Sequence, residues 1–165
     1  MIFVTVGTHE QNFNRLIKQI DNLREKNIIK DKVFIQTGYT DYKPKHCEFK
    51  NMITNDEMID YTKKAKIVIT HGGPGSIMLP FQYGKIPVVV PRQKEFDEHV
   101  DNHQVKFTNK LESENKVIAI YDINKLGEVI NNYDSIIESF NKDYKSNTTL
   151  FVDKLENICN NLVNK

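Results

Sequence analysis

Short apolar runs recur along the chain at 2–6, 33–36, 67–70, 88–90 and 117–120, with segments of helical pattern between them. That alternation predicts a mostly parallel α/β sheet of the Rossmann-like, doubly wound kind, covered by helices on both faces. Between the first two runs, Phe13, Leu16, Ile17, Ile20 and Leu23 fall at helical spacing and form one apolar stripe, so a first strand-helix-strand unit is expected. Thr54-Asn55-Asp56-Glu57 has the form of a capping box and predicts a helix over 54–65. Further helices are predicted over 76–83, 101–109 and 123–131, with Gly84 ending the first of these. The Asn- and Lys-rich stretch 131–147 reads as a loose connection. A last helix over 147–165 carries Phe151, Leu155, Ile158 and Leu162 on a narrow apolar seam, which packs on the domain's own core or reaches a partner.

The run at 67–70 passes directly into His71-Gly72-Gly73-Pro74-Gly75-Ser76-Ile77. A buried strand that ends in a glycine-rich turn and opens a helix, with Ser76 as its cap, gathers unpaired backbone N–H groups at the positive end of the helix dipole. Such a point attracts phosphate. The turn departs from the dinucleotide pattern GxGxxG, because Met78 stands where the third glycine would be, and no GxxxxGK[ST] occurs. Neither NAD nor ATP is indicated. The competing reading is a glycine connection that serves only close packing.

Two other loops are expected beside this turn. Gly7-Thr8-His9 follows the first strand, and in a doubly wound sheet the loop after strand one lies near the ligand crevice. Gly7 permits a tight turn, Thr8 offers a hydroxyl and an amide, and His9 is either an acid, base or hydrogen-bond donor or an idle, exposed side chain. The segment from Pro91 to Gln104 is dense in amide, imidazole and carboxylate groups that suit sugar hydroxyls, and Arg92 in it is expected to pair with an anionic ligand oxygen. Within it, His99 and His103 are spaced like a zinc pair, but Val100 stands where a zincin needs Glu, and no third ligand is evident. No metal and no cofactor is therefore expected, and the lack of an Asp-x-Asp motif leaves diphosphate charge to backbone amides and the helix dipole.

Bulk composition narrows the classes. At 165 residues the chain has the size of a single domain, and 23 basic against 22 acidic side chains leave no basic excess for reading nucleic acid. Cys47 and Cys159 have no CxxC spacing, as expected of reduced, cytosolic thiols. No cationic region precedes the first apolar run, and no run has the ~18 to 20 apolar residues of a membrane span, so a soluble protein is expected.

The sequence over roughly 1–130 resembles the C-terminal, donor-binding half of family 28 glycosyltransferases, one Rossmann-like half of a GT-B enzyme. The residues that carry the resemblance are 4–9, 70–77, the segment Gly84-Lys85-Ile86-Pro87-Val88-Val89-Val90-Pro91-Arg92, and Asp101-Asn102-His103-Gln104. It is nearest to stand-alone subunits of bacterial two-component capsule and exopolysaccharide transferases and similar to the Alg13 type of subunit. The resemblance implies a UDP-sugar donor whose diphosphate is held by Gly72, Gly73, Gly75, Ser76 and Ile77. Uracil falls to Met52 and Ile53, and donor-sugar hydroxyls to His103 and Gln104. Gly7, Thr8 and His71 complete the expected substrate-binding set, and His9 is the candidate catalytic group. Many relatives carry an acidic ribose-binding residue three or four positions beyond the serine, where this chain has Met78-Leu79-Pro80; Gln82 is the local substitute.

The implied reaction is inverting transfer of a hexose or N-acetylhexosamine to a lipid-linked saccharide acceptor, as in a β-1,4-galactosyltransferase or an N-acetylglucosaminyltransferase of capsule or exopolysaccharide synthesis. The chain is read as lacking the second GT-B domain. A membrane-anchored, Alg14-like partner subunit is therefore expected to bring the acceptor, holding this cytoplasmic chain at the inner face of the membrane. The alternative of another class is a non-catalytic UDP-sugar-binding regulatory subunit. A GT-B epimerase would need both halves and acidic catalytic groups.

Overall fold

The computed structural model of the chain describes residues 1–140, 152–156 and 160. Six parallel strands form one sheet in the order β3-β2-β1-β4-β5-β6: β1 (Ile2–Thr5), β2 (Val33–Gln36), β3 (Glu48–Lys50), β4 (Ile67–Thr70), β5 (Val88–Val89) and β6 (Ile118–Ala119). Between them run α1 (Asn14–Glu25), α2 (Asn55–Lys64), α3 (Pro74–Gln82) and α4 (His103–Ser113), and after them α5 (Leu126–Asn131) and α6 (Tyr133–Glu138). The order reverses between β1 and β4, which is the switch point of a doubly wound sheet. The expected Rossmann-like class is the observed one.

Every residue of β1, β2 and β4 is buried, because helices cover both faces. Alternate side chains then serve different layers. Ile2, Val4, Ile35, Ile67 and Ile69 face Leu16, Ile17 and Ile20 of α1 and Leu126 of α5, whereas Phe3, Phe34 and Val68 pack with Met58, Tyr61 and Ala65 at α2. A third cluster, Ile77, Phe81, Val89, Leu111 and Val117, sets α3 and α4 on the sheet beside β5.

Local signals place the helix ends. The capping box of α2 forms as expected: Glu57 N–H donates to Thr54 Oγ at 3.2 Å, and Thr54 N–H to the Glu57 carboxylate at 2.9 Å. Gly84 takes φ +65° just beyond α3, the left-handed position at which a helix ends on glycine.

Two expectations fail. β3 is an edge strand of three residues whose Glu48 and Lys50 are exposed, so it left no apolar run in the sequence. The stretch expected to be loose holds α6, fastened by Tyr133, which is 4% exposed and donates its hydroxyl to the Ile86 carbonyl at 2.7 Å. Of the expected last helix, 152–156 is helical with Leu155 exposed; Phe151, Ile158 and Leu162 lie outside the described residues. Among the described residues no helix is long and apolar enough to cross a membrane.

Candidate functional site

At the carboxyl edge of the sheet a cleft of about 540 Å³ opens over the switch point. Its walls are Gly7, Thr8 and His9 from the loop after β1, His71 and Gly73 to Ser76 from the turn after β4, Gln104 from α4, and Met52, Ile53 and Met58 from the β3–α2 region. Gln36 supplies part of its floor. The volume is that of a small-molecule site, and the position is where open α/β sheets bind ligands.

The turn is built around one imidazole. His71 is 9% exposed and lies between Gly7 and Gly73, which has no Cβ for the same reason Gly7 has none: an added carbon at Gly7 would fall 3.0 Å from Cε1 of the ring, and one at Gly73 2.9 Å from Nδ1. Gly7 also holds φ +73°, so its freedom is needed twice over. Gly73 N–H donates to His71 Nδ1 at 3.1 Å. An amide can only donate, so Nδ1 is the acceptor and the ring's proton sits on Nε2, 3.0 Å from Ser76 Oγ. On that tautomer the 3.4 Å approach of Gln104 Oε1 to Nδ1 is a contact between two acceptors, and the Gln104 oxygen is satisfied instead by Arg92 N–H at 3.2 Å.

Burial pushes His71 down to about 4, with the Arg92 charge adding to the effect, so the ring is neutral at pH 7. It therefore holds Ser76 Oγ as an acceptor. The hydroxyl's own proton is left for another acceptor.

Gly73, not Ser76, is the N-cap of α3, and Pro74 occupies the first helical position, where its missing N–H costs nothing. Ser76 stands three residues in, which explains why its side chain reaches back to His71 rather than capping the helix. The Ile77 N–H is used by the Gly73 carbonyl at 3.1 Å, and the Ile77 side chain is fully buried in the core. Gly75 and Ser76 keep amides with no partner among the described residues, as the first turn of a helix must. The set of free amides is thus narrower than expected. Gly73 and Ile77 contribute no free amide, and Gly72 is buried against Gln104 and Thr108 rather than lining the cleft.

Arg92 departs furthest from its expected role. Only 1% exposed, its guanidinium donates to the carbonyls of Val6 at 3.0 Å, Gln11 at 2.7 Å, Asn12 at 3.3 Å and Glu98 at 3.0 Å, and lies over the Phe13 ring. Beside it Arg15 forks onto the Glu98 carboxylate at 2.9 and 2.8 Å. Arg92 therefore ties the loop after β1 to the loop after β5 from beneath and lies outside the cleft lining. A buried cation of this kind organises the wall of a site.

His9 is half-buried on the cleft wall, with Nδ1 accepting from Gln11 N–H at 3.2 Å, so Nε2 is the nitrogen left for chemistry. His103 stands outside the lining: it is exposed and its Nδ1 pairs with Asp101 at 2.6 Å. Gln82 is exposed and also outside it.

Gln36 and Met58 are lining residues that the sequence reading missed. Gln36 is 1% exposed, accepts from Thr5 Oγ at 2.7 Å and donates to the carbonyls of Gly7 and Asn51 at 3.0 Å, joining the ends of β1, β2 and β3. Its signal was available: it is the one polar residue closing the otherwise apolar run Val33-Phe34-Ile35.

Known proteins share this architecture. The glycotransferase of kitacinnamycin superposes on 83% of the chain, and on 34% of its own length, with TM-score 0.58 and 18% identity, a likeness of fold. The UDP-N-acetylglucosamine transferase subunit ALG13 of Yarrowia lipolytica is 31% identical over 72 residues, which is 44% of this chain. The chain thus spans about a third, 35%, of the length of that curated relative. The glycosyltransferase family 28 C-terminal domain matches residues 1–158, nearly the whole length, and the chain belongs to that family.

Proposed function

We propose that the chain is the donor-binding subunit of an inverting glycosyltransferase that moves a hexose or N-acetylhexosamine from a UDP-sugar to a lipid-linked saccharide. The observation that carries this reading is the unpaired pair of amides, Gly75 and Ser76, at the open end of α3 inside a cleft at the switch point. Both amides, the Ser76 hydroxyl and the helix dipole converge where a departing diphosphate would place its charge. Among the described residues no carboxylate lines the cleft to oppose that charge.

The apolar group Met52, Ile53 and Met58 at the other end of the cleft suits the flat face of uracil. Gln104 turns toward the same cavity, where its Nε2, unpartnered among the described residues, would read a donor-sugar hydroxyl. With Nδ1 accepting from Gln11 N–H, the neutral His9 ring carries its proton on Nε2, so His9 would act as donor to the leaving oxygen rather than as base to the attacking hydroxyl.

A membrane-associated second subunit of the Alg14 kind would close the cleft and present the acceptor, in capsule or exopolysaccharide synthesis; the curated relative, itself a subunit by name, supports a two-chain arrangement. Titration calorimetry with UDP, UDP-glucose, UDP-galactose and UDP-N-acetylglucosamine tests the donor, and transfer assays on the chain co-expressed with its neighbouring-gene partner test the reaction. Binding without transfer by any such pair would make the chain a UDP-sugar-binding regulator. The absence of heat with every uridine diphosphate compound, for the pair as for the lone chain, would overturn the reading.

A further inference from the structure

Three of the five histidines of the chain gather at one place outside the donor cleft's lining or on its rim. The rings of His99 and His103 lie 4.5 Å apart, centroid to centroid, and the ring of His9, arriving from the loop after β1, lies 4.6 Å from that of His99. The carboxylate of Asp101 sits among them, with Oδ1 2.6 Å from His103 Nδ1 and 3.4 Å from His99 Nδ1. One ligand atom from each of His99, Asp101 and His103 falls within 4.8 Å of the others.

We propose that His99, Asp101 and His103 form a binding site for a borderline transition metal ion of the zinc class. Two imidazoles and one carboxylate are the donor set that such ions prefer, whereas magnesium and calcium favour oxygen alone. The third ligand, which the i, i+4 pair lacked in the sequence, is the carboxylate placed between them in the chain. His99 Nδ1 accepts only a long bond among the described residues, from Asp101 N–H at 3.4 Å, whereas Asp101 Oδ1 accepts from His103 N–H at 2.9 Å and meets His103 Nδ1 at 2.6 Å; Asp101 and His103 are half or more exposed. Separations of 2.6 and 3.4 Å bracket the spacing between neighbouring ligands of a four-coordinate ion, so side-chain rotation is enough to seat one.

His9 gives the site its consequence. Its ring packs 4.6 Å, centroid to centroid, from that of His99, so an ion seated on His99, Asp101 and His103 would stiffen the segment that opens α4 against the loop after β1. Those two segments carry His9 and Gln104 into the cleft. The proposal does not rest on the donor reading.

The test uses the full chain without a histidine tag. Cobalt(II) is titrated into it while visible absorption is followed, and zinc is then added as competitor. One cobalt per chain with the intense bands of a low-coordinate site, displaced by zinc but not by magnesium, is expected. Asp101→Asn and His103→Gln, both surface changes, should each weaken cobalt binding about tenfold or more, and His46→Gln, beside Asp21 away from the cluster, should leave it unchanged. No bound cobalt, or equal affinity in the wild-type and Asp101→Asn chains with their circular dichroism unaltered, would overturn the proposal.

Discussion

The imidazole of His71 fills the space that a side chain at Gly7 would occupy. Gly7→Ala therefore meets two costs, the clash with the ring and a φ of +73° that alanine tolerates poorly. A loss of about 2 to 3 kcal/mol is expected, read as a lower urea midpoint at unchanged m. A stable Gly7→Ala chain that still binds UDP would show that the ring moves aside freely.

Gly75 offers the opposite case. Nothing lies within 4 Å of a carbon added there, and the position is helical. Gly75→Ala should hold or raise stability by up to about 1 kcal/mol, while the new methyl at the mouth of the amide pair weakens UDP binding. Thermal melts and calorimetry on the same sample would separate the two effects; a chain that loses stability and keeps affinity contradicts both halves.

Ser76→Ala removes the hydroxyl that His71 orients. A hydrogen bond to a charged oxygen contributes about 1.5 to 3 kcal/mol, so UDP affinity should fall by a factor of about ten or more. Uridine, which lacks the diphosphate, should bind the variant and the wild type equally. An equal loss for uridine would place Ser76 elsewhere in recognition.

The neutral state of His71 makes stability depend on pH. Its pKa is about 4 in the folded chain against an ordinary 6.5, so the unfolded chain takes up the proton first as pH falls. The ring's contribution is complete above about pH 6.5 and disappears as pH falls to about 4, a difference of about 3 kcal/mol. Asp21, whose carboxyl is held low by the amides of Lys45 and His46 and the Tyr42 hydroxyl, also loses stability in acid. The comparison is therefore made against His71→Gln, which should have a shallower slope of stability between pH 6.5 and 4; matching slopes would mean that the buried ring takes up its proton without cost.

Arg92→Met should cost about 3 to 5 kcal/mol, because it strips a buried donor from four carbonyls. Arg92→Lys, a point charge without the fork, should recover less than half. Denaturant unfolding measures both. A mild effect on stability with a large direct loss of UDP affinity would restore the ligand-binding role expected from sequence.

Fold and site were legible to different depths. The strands at β1, β2 and β4 announced themselves because burial on both faces requires unbroken apolar runs, and the turn after β4 because glycine, proline and serine follow such a run without interruption. β3 was hidden, since an exposed edge strand needs no apolar run. The role of Arg92 was hidden for another reason: a guanidinium at a strand end has the same appearance in sequence whether it meets a ligand or the carbonyls of a loop 80 residues away. Gln36 could have been found from its place at the end of an apolar strand. That Gly73 gives its amide to His71 could not, because it depends on how one ring is seated.

The two strands whose ends bracket the cleft, β1 and β4, pair across 65 positions, Ile2 with Ile67. No hairpin or other local fragment contains both walls, so the cavity exists only once that distant pairing has closed. A nucleotide that occupies it is then a reporter of complete folding, and saturation with it should slow amide exchange in the centre of the sheet as well as in the loops it touches.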